Sequence, residues 1–496
     1  MNFHERLGSA ARDFLGHKHL LLIDGKRIEG TSGKRTDVID PGTTEVIATA
    51  VEGSAADVDL AVVAARRAFE GEWSKVTPAQ RARMMFKYAD LVEQNADEIA
   101  QLESINTGKP LVFCRNVDIP NVAEMIRYMG GWATKIAGQS PNLSIPGDWV
   151  AYTVREPVGV VGQILPWNFP LNLFAWKVAP ALASGCTIVL KPAEQTPLTA
   201  LRMAELALEA GIPAGVLNVV TGYGDPVGSA IAQHPDIDKI SFTGSTLTGK
   251  KIVQAATGNL KRVTLELGGK SPFIVFPDAD LEMAAAGAAR AIFFHAGQVC
   301  AAGSRLFAHE AIQEELVERI AEIARNMKVG YCFDEGSDLG PVISQKQLDR
   351  VTGYLSAGVE QGATIHTGGT RVGDRGYYLA PTILTGTRPG MSVVDEEIFG
   401  PVLSTMAFGD EDVDAIAARA NATPYGLSAS IWTRDLKIAH RLARRIRSGA
   451  VGVNVHSAGD PTLPYGGFKQ SGWGRERAFD AIETYTEVKA VTLNLN

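Results

Sequence analysis

From Pro157 onward the chain repeats one pattern: a short apolar, β-branched run, a turn, then a stretch with helical periodicity. The runs are Val158–Leu165, Thr187–Leu190, Val216–Val220, Lys239–Phe242 and Arg262–Leu267. The helical stretches between them are Leu171–Ser184, Pro197–Ala210, Pro226–His234 and Thr246–Thr257. Strands that are apolar throughout are covered on both faces. Strands that alternate with helices pair in parallel, because each crossover helix returns the chain to the same end of the sheet. A second series begins at Ser271–Phe276, with helices at Ala279–His295, Ala311–Met327, Gln345–Gly358, Asp412–Asn421 and Leu436–Ser448. Its further strands are Thr382–Leu384, Val402–Phe408, Ser428–Trp432 and Gly452–Val455. At 496 residues the chain exceeds one ordinary core. The expectation is therefore an α/β protein with two parallel-sheet domains.

Ahead of this, residues 1–50 read as irregular, with a strand-like run at Leu20–Ile23 and turns at Asp24-Gly25 and Pro41-Gly42. Helices are expected over Ala55–Phe69, with Ser54 as N-cap, over Pro78–Leu102 and over Val117–Lys135. Gln139–Val150 is rich in Pro, Gly and Ser and reads as an arm leaving the body. The tail Thr484–Leu495 alternates like an exposed edge strand, which invites pairing with another subunit.

Composition excludes several classes. Net charge is −7 and no Lys/Arg stripe occurs, which argues against nucleic acid. No apolar stretch reaches the length of a membrane span, and Leu20–Ile23 is too short for a secretory signal. The four cysteines are scattered without a CxxC pair, so no metal site or disulfide framework is expected. A reduced cytoplasmic setting follows as the default.

The unusual residues gather at strand ends, where α/β sheets bind ligands. Cys300 lies in Phe294-His-Ala-Gly-Gln-Val-Cys300-Ala-Ala-Gly-Ser304. Small neighbours let a substrate approach a sulfur, whereas a structural cysteine is normally packed by larger groups. Pro166-Trp167-Asn168-Phe169-Pro170 is rigid at both ends, so Asn168 either offers an amide N–H to an oxyanion or caps the next helix. Lys191 and Glu194 either hold a ribose diol or form a surface ion pair. Gly222-Tyr-Gly224-Asp-Pro-Val-Gly228 departs from the GxGxxG fingerprint and reads as a turn rather than a phosphate cradle. Phe242-Thr-Gly244-Ser245-Thr246 puts small and hydroxyl residues at a helix start, suited to a pyrophosphate or to simple capping. Glu266 ends an apolar strand, either paired to a cation or acting as a base of raised pKa. Glu397-Ile-Phe399-Gly-Pro401 joins a carboxylate and an aromatic before a strand, or is a solvated loop.

The ordered set Pro166–Pro170, Lys191–Glu194, Phe242–Ser245, Leu265-Glu-Leu-Gly-Gly-Lys270, Gly297-Gln-Val-Cys300, Glu397–Pro401 and Pro464-Tyr-Gly-Gly-Phe-Lys469 resembles the aldehyde dehydrogenase superfamily over nearly the whole chain. Thr134–Pro146 and Gln298–Arg305 further resemble bacterial phenylacetaldehyde dehydrogenases. The resemblance implies a Rossmann-like NAD-binding domain (residues 1–135 and 155–265), a catalytic domain (266–465) and a small β bridging and oligomerisation element (136–154 and 466–496). It implies NAD rather than NADP, because the Glu194 carboxylate would repel a 2′-phosphate. Cofactor contacts would come from Lys191, Glu194, Gly244, Ser245, Glu397, Phe399, Trp167 and Gly222. Cys300 would be the nucleophile, and Asn168 with the Cys300 backbone N–H the oxyanion donors. Glu266 would activate water on a thioester. Relatives that pass the acyl group to coenzyme A tend to lack this glutamate, so hydrolysis is expected.

By position in the matching motifs, the substrate tunnel would be walled by Phe169, Leu173, Trp176, Phe294, Val299, Ala301 and Tyr465, a set without fixed charge. That favours aromatic or medium aliphatic aldehydes, phenylacetaldehyde in particular, over charged ones. A homodimer or homotetramer is implied, with Glu487 pairing with Arg262 and Arg475. Two other readings are a cysteine hydrolase using Cys300 with His295, and a non-catalytic protein on the same fold.

Overall fold

The computed structural model of the chain describes residues 5–457 and 459–496. The first strand series forms an eight-stranded sheet. Its order is Gly472–Trp473, Arg262–Glu266, Lys239–Thr243, Val160–Ile164, Thr187–Lys191, Leu217–Val219, Leu21–Ile23 and Lys26–Ile28. The central pairings are parallel and the edge pairings antiparallel. Val160–Ile164, Thr187–Lys191 and Lys239–Thr243 are buried at every position. Successive side chains enter opposite layers. Ile188 and Leu190 pack with Phe174, Leu182 and Leu201, while Val189 between them packs with Val58, Ala61 and Val62.

The second series forms a seven-stranded sheet in the order Thr364–Thr367, Thr382–Thr385, Val402–Phe408, Arg305–His309, Pro272–Val275, Ser428–Trp432 and Ala450–Val453. All its pairings are parallel except the first. Arg305–His309 was not expected as a strand, because an arginine and a histidine bound only three apolar residues. It is central and buried nonetheless. The Arg305 guanidinium is satisfied by the carbonyls of Lys270 (2.9 Å) and Ala420 (2.7 Å).

Two other expectations are corrected. Within residues 1–50, Lys34–Ile39 and Val46–Glu52 form an antiparallel pair around the Pro41-Gly42 turn. The helix expected over Pro78–Leu102 is two helices, Pro78–Gln94 and Ala96–Thr107. Asn95 separates them, and its side-chain amide takes the Leu91 carbonyl at 2.8 Å. Ser54 caps Ala55–Glu70 as read, in a capping box with Asp57.

The tail strand Thr486–Asn494 pairs antiparallel with Trp149–Pro157 of the same chain, forming a separate and largely exposed ribbon. No helix among the described residues is long and apolar enough to cross a membrane.

Candidate active site

Cys300 follows a bent approach. The helix Leu281–Phe293 ends, and His295, Ala296 and Gly297 then take positive φ in succession (50°, 53° and 69°). A Cβ at Gly297 would overlap the Gly400 carbonyl, so only glycine lets this turn sit against that loop. Gln298 fixes the turn, accepting from Ile343 N–H at 2.8 Å and donating to the His295 carbonyl at 3.1 Å. Gly269 leaves room for the Cys300 carbonyl. His456 bridges the segment after the cysteine, with Nε2 2.8 Å from the Ala301 carbonyl and Nδ1 2.6 Å from Ser430 Oγ.

Cys300 opens onto a cavity of about 1130 Å³ between the two sheets. Fifteen further residues singled out from the sequence line it. Asn168, Phe169, Leu173, Trp176, Phe294, Val299, Ala301 and Tyr465 surround or face the thiol side, and Trp167, Lys191, Glu194, Gly244, Ser245, Glu397 and Phe399 extend the lining. Two are elsewhere. Glu266 is set behind the lining. Gly222, at φ 138°, packs on Val227 and Gly53, while Gly224 reaches the cavity instead.

The Cys300 sulfur has one polar side-chain partner, the Tyr465 hydroxyl at 3.1 Å. Burial pushes the thiol up to about 12, with the Tyr465 hydrogen bond pulling the other way. Asn168 is buried, and its amide donates to the Gln298 carbonyl at 2.8 Å, which holds it beside the cysteine loop. His295 is tilted against the Phe169 ring at 5.2 Å, and its Nε2 has no hydrogen-bond partner. It makes no contact with the thiol that a cysteine–histidine hydrolase requires.

Glu266 is buried and neither carboxyl oxygen has a partner. Burial holds its pKa well above the carboxylate range, and the charge of Glu476 adds to this. Glu476 pairs with buried Lys177, which also donates to Ser241 Oγ at 3.0 Å. Lys177 and Glu476 were missed in the sequence. Lys177 hides on an apolar helix, and Glu476 is brought in by reciprocal backbone hydrogen bonds with Tyr465 (2.7 Å each).

At the other end, Lys191 Nζ lies 3.4 Å from Glu194 and donates to the Pro192 carbonyl at 2.9 Å. Burial lowers the lysine's pKa. Ser245 caps the helix Thr246–Ala256 through the Thr248 N–H (3.2 Å), and the Gly244 N–H is taken by the Glu266 carbonyl (3.0 Å). Glu397 accepts from Gly269 N–H at 2.9 Å, and burial raises it to about 7. A Cβ at Gly268 would overlap that carboxylate. Phe399, at φ 63°, meets Trp167 edge-on with ring centres 5.3 Å apart.

The aromatic wall is present. Phe169 stacks on Phe294 at 6.2 Å, and Trp176 meets Tyr465 at 5.1 Å. The expectation of a lining without charge is corrected, because Asp118 and Arg477 also line the cavity. Asp118 is satisfied by Lys109 (2.5 Å) and by the Asn172 amide (2.7 Å). Neither residue lies in a motif that flags the tunnel.

The Cys300 thiol thus faces a cavity with a Lys191–Glu194 polar end and an aromatic end. The chain matches the aldehyde dehydrogenase family over residues 28–491, and it belongs to that family. It is 48% identical to aldehyde dehydrogenase family 2 member B4, mitochondrial, of Arabidopsis thaliana, over 96% of this chain and 88% of that one. It is 46% identical to the mitochondrial benzaldehyde dehydrogenase of Antirrhinum majus, over 96% and 89% of the two chains. The NAD+ complex of the Bacillus cereus aldehyde dehydrogenase matches the fold with a TM-score of 0.97, at 45% identity over 99% of both chains.

Proposed function

We propose that this chain oxidises an aldehyde with an aromatic, phenylacetaldehyde-like body to its carboxylic acid, with NAD as the acceptor and Glu266-assisted hydrolysis as the second half. The observation that carries the reading is the position of Cys300. Its thiol opens onto the same cavity as the Lys191–Glu194 pair and the Phe169, Trp176 and Tyr465 rings.

The residues fit a dinucleotide by the chemistry of their donors. Glu194 accepts from Lys191 and from the Gln195 amide and keeps lone pairs for ribose hydroxyls. Glu397 offers a second carboxylate toward the thiol side. Gly244 and Ser245 line the same cavity at a helix start. Bound NAD supplies a two-electron acceptor, by which the Cys300 adduct ends as a thioester.

The chain's own groups do the rest. Cys300 loses its proton and adds to the carbonyl carbon, giving a thiohemiacetal. The second N–H of the Asn168 amide and the Cys300 backbone N–H donate to the oxyanion. Glu266 accepts a proton from water as that water attacks the thioester, and its buried, unpartnered carboxyl makes it a stronger base than an exposed one. The charges of Glu476 and Lys177 act on Glu266 in opposite directions, the first raising its pKa and the second lowering it. The wide aromatic wall favours a flat apolar substrate body.

Four free cysteines fit a reducing cytoplasm. The exposed Trp149–Pro157 and Thr486–Asn494 ribbon fits self-association into a homodimer or homotetramer. The test is an aldehyde series assayed at 340 nm with NAD and with NADP, beside Cys300→Ala. Fast NAD-dependent oxidation of phenylacetaldehyde, lost in the variant, is the expected outcome. Absorbance change that survives Cys300→Ala would sink the reading.

A further inference from the structure

Arg477 is a buried cation with no carboxylate in ion-pair contact among the described residues, although the charges of Glu476, Asp460 and Glu266 reach it. The residue is 5% exposed, and it lines the cavity beside Trp176 and Tyr465. Its guanidinium carbon lies 4.9 Å from the Trp176 ring centre and 5.0 Å from that of Tyr465. The rings attract the charge through their faces but leave the N–H groups unmatched. The buried Nε has no hydrogen-bond partner, and no carboxylate among the described residues pairs with the side chain.

Other buried cations in the molecule are handled differently. Lys109 is paired with Asp118, and Lys177 with Glu476. Arg305 is satisfied by two backbone carbonyls. Lys270 Nζ is also unpartnered, but burial lowers its pKa to about 7, so it can shed its charge. An arginine does not have that option. A guanidinium held charged, dry on one side and open to a substrate cavity is a site that lacks its anion.

Asp118 lines the same cavity and makes no ion pair with Arg477. Both oxygens of Asp118 are engaged, one by Lys109 and one by Asn172. Arg290, exposed and one helical turn before Phe294, lines the same cavity and adds a second positive charge. The backbone at Arg477 (φ 62°, ψ 179°) lies in a region that side-chain-bearing residues rarely adopt, so the fold holds this side chain in place against local preference.

We propose that Arg477 anchors a carboxylate at the far end of the substrate, and that the preferred aldehydes are oxo-acids with a flat apolar body between the two groups. The aldehyde carbon meets Cys300. The body lies against the aromatic rings, and the carboxylate takes two parallel N–H bonds from the guanidinium. The inference rests on the reading of this cavity as an aldehyde tunnel, and it replaces a wholly apolar substrate with one that is apolar in the middle and anionic at the end.

The experiment compares benzaldehyde with 4-carboxybenzaldehyde on the full-length enzyme with NAD, in the wild type, Arg477→Leu and Arg477→Lys. Wild type is expected to show a KM at least tenfold lower for the carboxylated aldehyde. Arg477→Leu is expected to lose at least thirtyfold more kcat/KM on that aldehyde than on benzaldehyde, chiefly through KM, with Arg477→Lys recovering part. Equal losses on both aldehydes, or no loss on either, overturn the proposal, since a structural or general electrostatic role does not discriminate. A wild-type binding measurement guards against a variant that fails to fold. Terephthalate should compete with benzaldehyde at least tenfold more tightly than benzoate does, and equal inhibition overturns the anchor. If wild type oxidises neither aldehyde nor phenylacetaldehyde, the tunnel reading itself falls and the anchor falls with it. That result is distinct from oxidation without discrimination, which removes the anchor alone.

Discussion

The Tyr465 hydroxyl and the Cys300 sulfur share a hydrogen bond of 3.1 Å, although 165 positions separate the two residues. Tyr465 was read from the sequence as a tunnel wall. The structure gives it a second role, because a phenol O–H pointed at a thiol donates to the thiolate once the proton leaves. A hydrogen bond to a charged group contributes about 1.5–3 kcal/mol. Tyr465→Phe keeps the ring and removes the donor. The expected result is slower alkylation of Cys300 by iodoacetamide, by about tenfold or more at pH 8, with the rate profile moved to higher pH. An unchanged alkylation profile would show that the hydroxyl does not support the thiolate.

Burial favours the protonated forms of Cys300, whose thiol is pushed up to about 12, and of Glu266, whose carboxyl is held well above its ordinary range. Raising the pH therefore increases both the attacking thiolate and the base. The expected kcat/KM profile climbs from pH 6 toward the alkaline limit of the assay. A profile that is flat above pH 7 would contradict these protonation states.

Glu266 is proposed as the base of the second half of the reaction, so its loss should uncouple the halves. Glu266→Gln is expected to form the thioester in a single burst and then stall, with steady turnover reduced by about 100-fold or more. Rapid-quench mass spectrometry reads the acyl-enzyme directly. Loss of the burst together with turnover would place Glu266 in the first half instead.

Asn168 should matter in the transition state more than in binding. One of its amide protons is fixed on the Gln298 carbonyl, which leaves the other for the oxyanion. Asn168→Ala is expected to lower kcat by about 100-fold or more, as losing one such donor costs about 3 kcal/mol in other enzymes. A rise in KM with kcat intact is the outcome that excludes this role.

His456 links the fold to acid stability. Burial lowers its pKa from 6.5 to about 4, while Nε2 faces the Ala301 carbonyl and Nδ1 faces Ser430. A group whose folded pKa lies below its unfolded value contributes its full stability above about pH 6.5, and that contribution fades as pH falls toward 4. The melting temperature should drop through this window, and less steeply in His456→Gln. Parallel curves for the two proteins would exclude His456 as a source of the acid sensitivity.

The tail pairing was read in part. Glu487 meets Arg262 at 2.6 Å within the chain, while Arg475 turns to the carbonyls of Gly467 and Gly474. Glu487 and Arg262 are both about half exposed, so the pair adds little to monomer stability.

The sequence by itself determined the α/β class and the parallel pairing of most strands, and it singled out Cys300 as the candidate nucleophile. These are local properties. A buried parallel strand must be apolar along its length, a helix must repeat every three to four residues, and a reacting cysteine needs small neighbours. Most of the seventeen non-nucleophile residues singled out as site residues sit in short motifs at strand ends or beside Cys300. Arg305–His309 was lost because a central strand that begins with a satisfied arginine has no local signature.

Tertiary structure alone decided which groups meet. It put the Tyr465 hydroxyl on Cys300, Glu476 beside Lys177 and Glu266, and Gly222 away from the cavity that Gly224 lines. It also placed Arg477 between two aromatic rings with no acceptor, so a tunnel that looked uncharged carries a fixed cation. The physical reason is that charge state and hydrogen-bond satisfaction depend on what surrounds a side chain in three dimensions. For Cys300, Glu266 and Lys177 the deciding partner lies more than a hundred positions away along the chain.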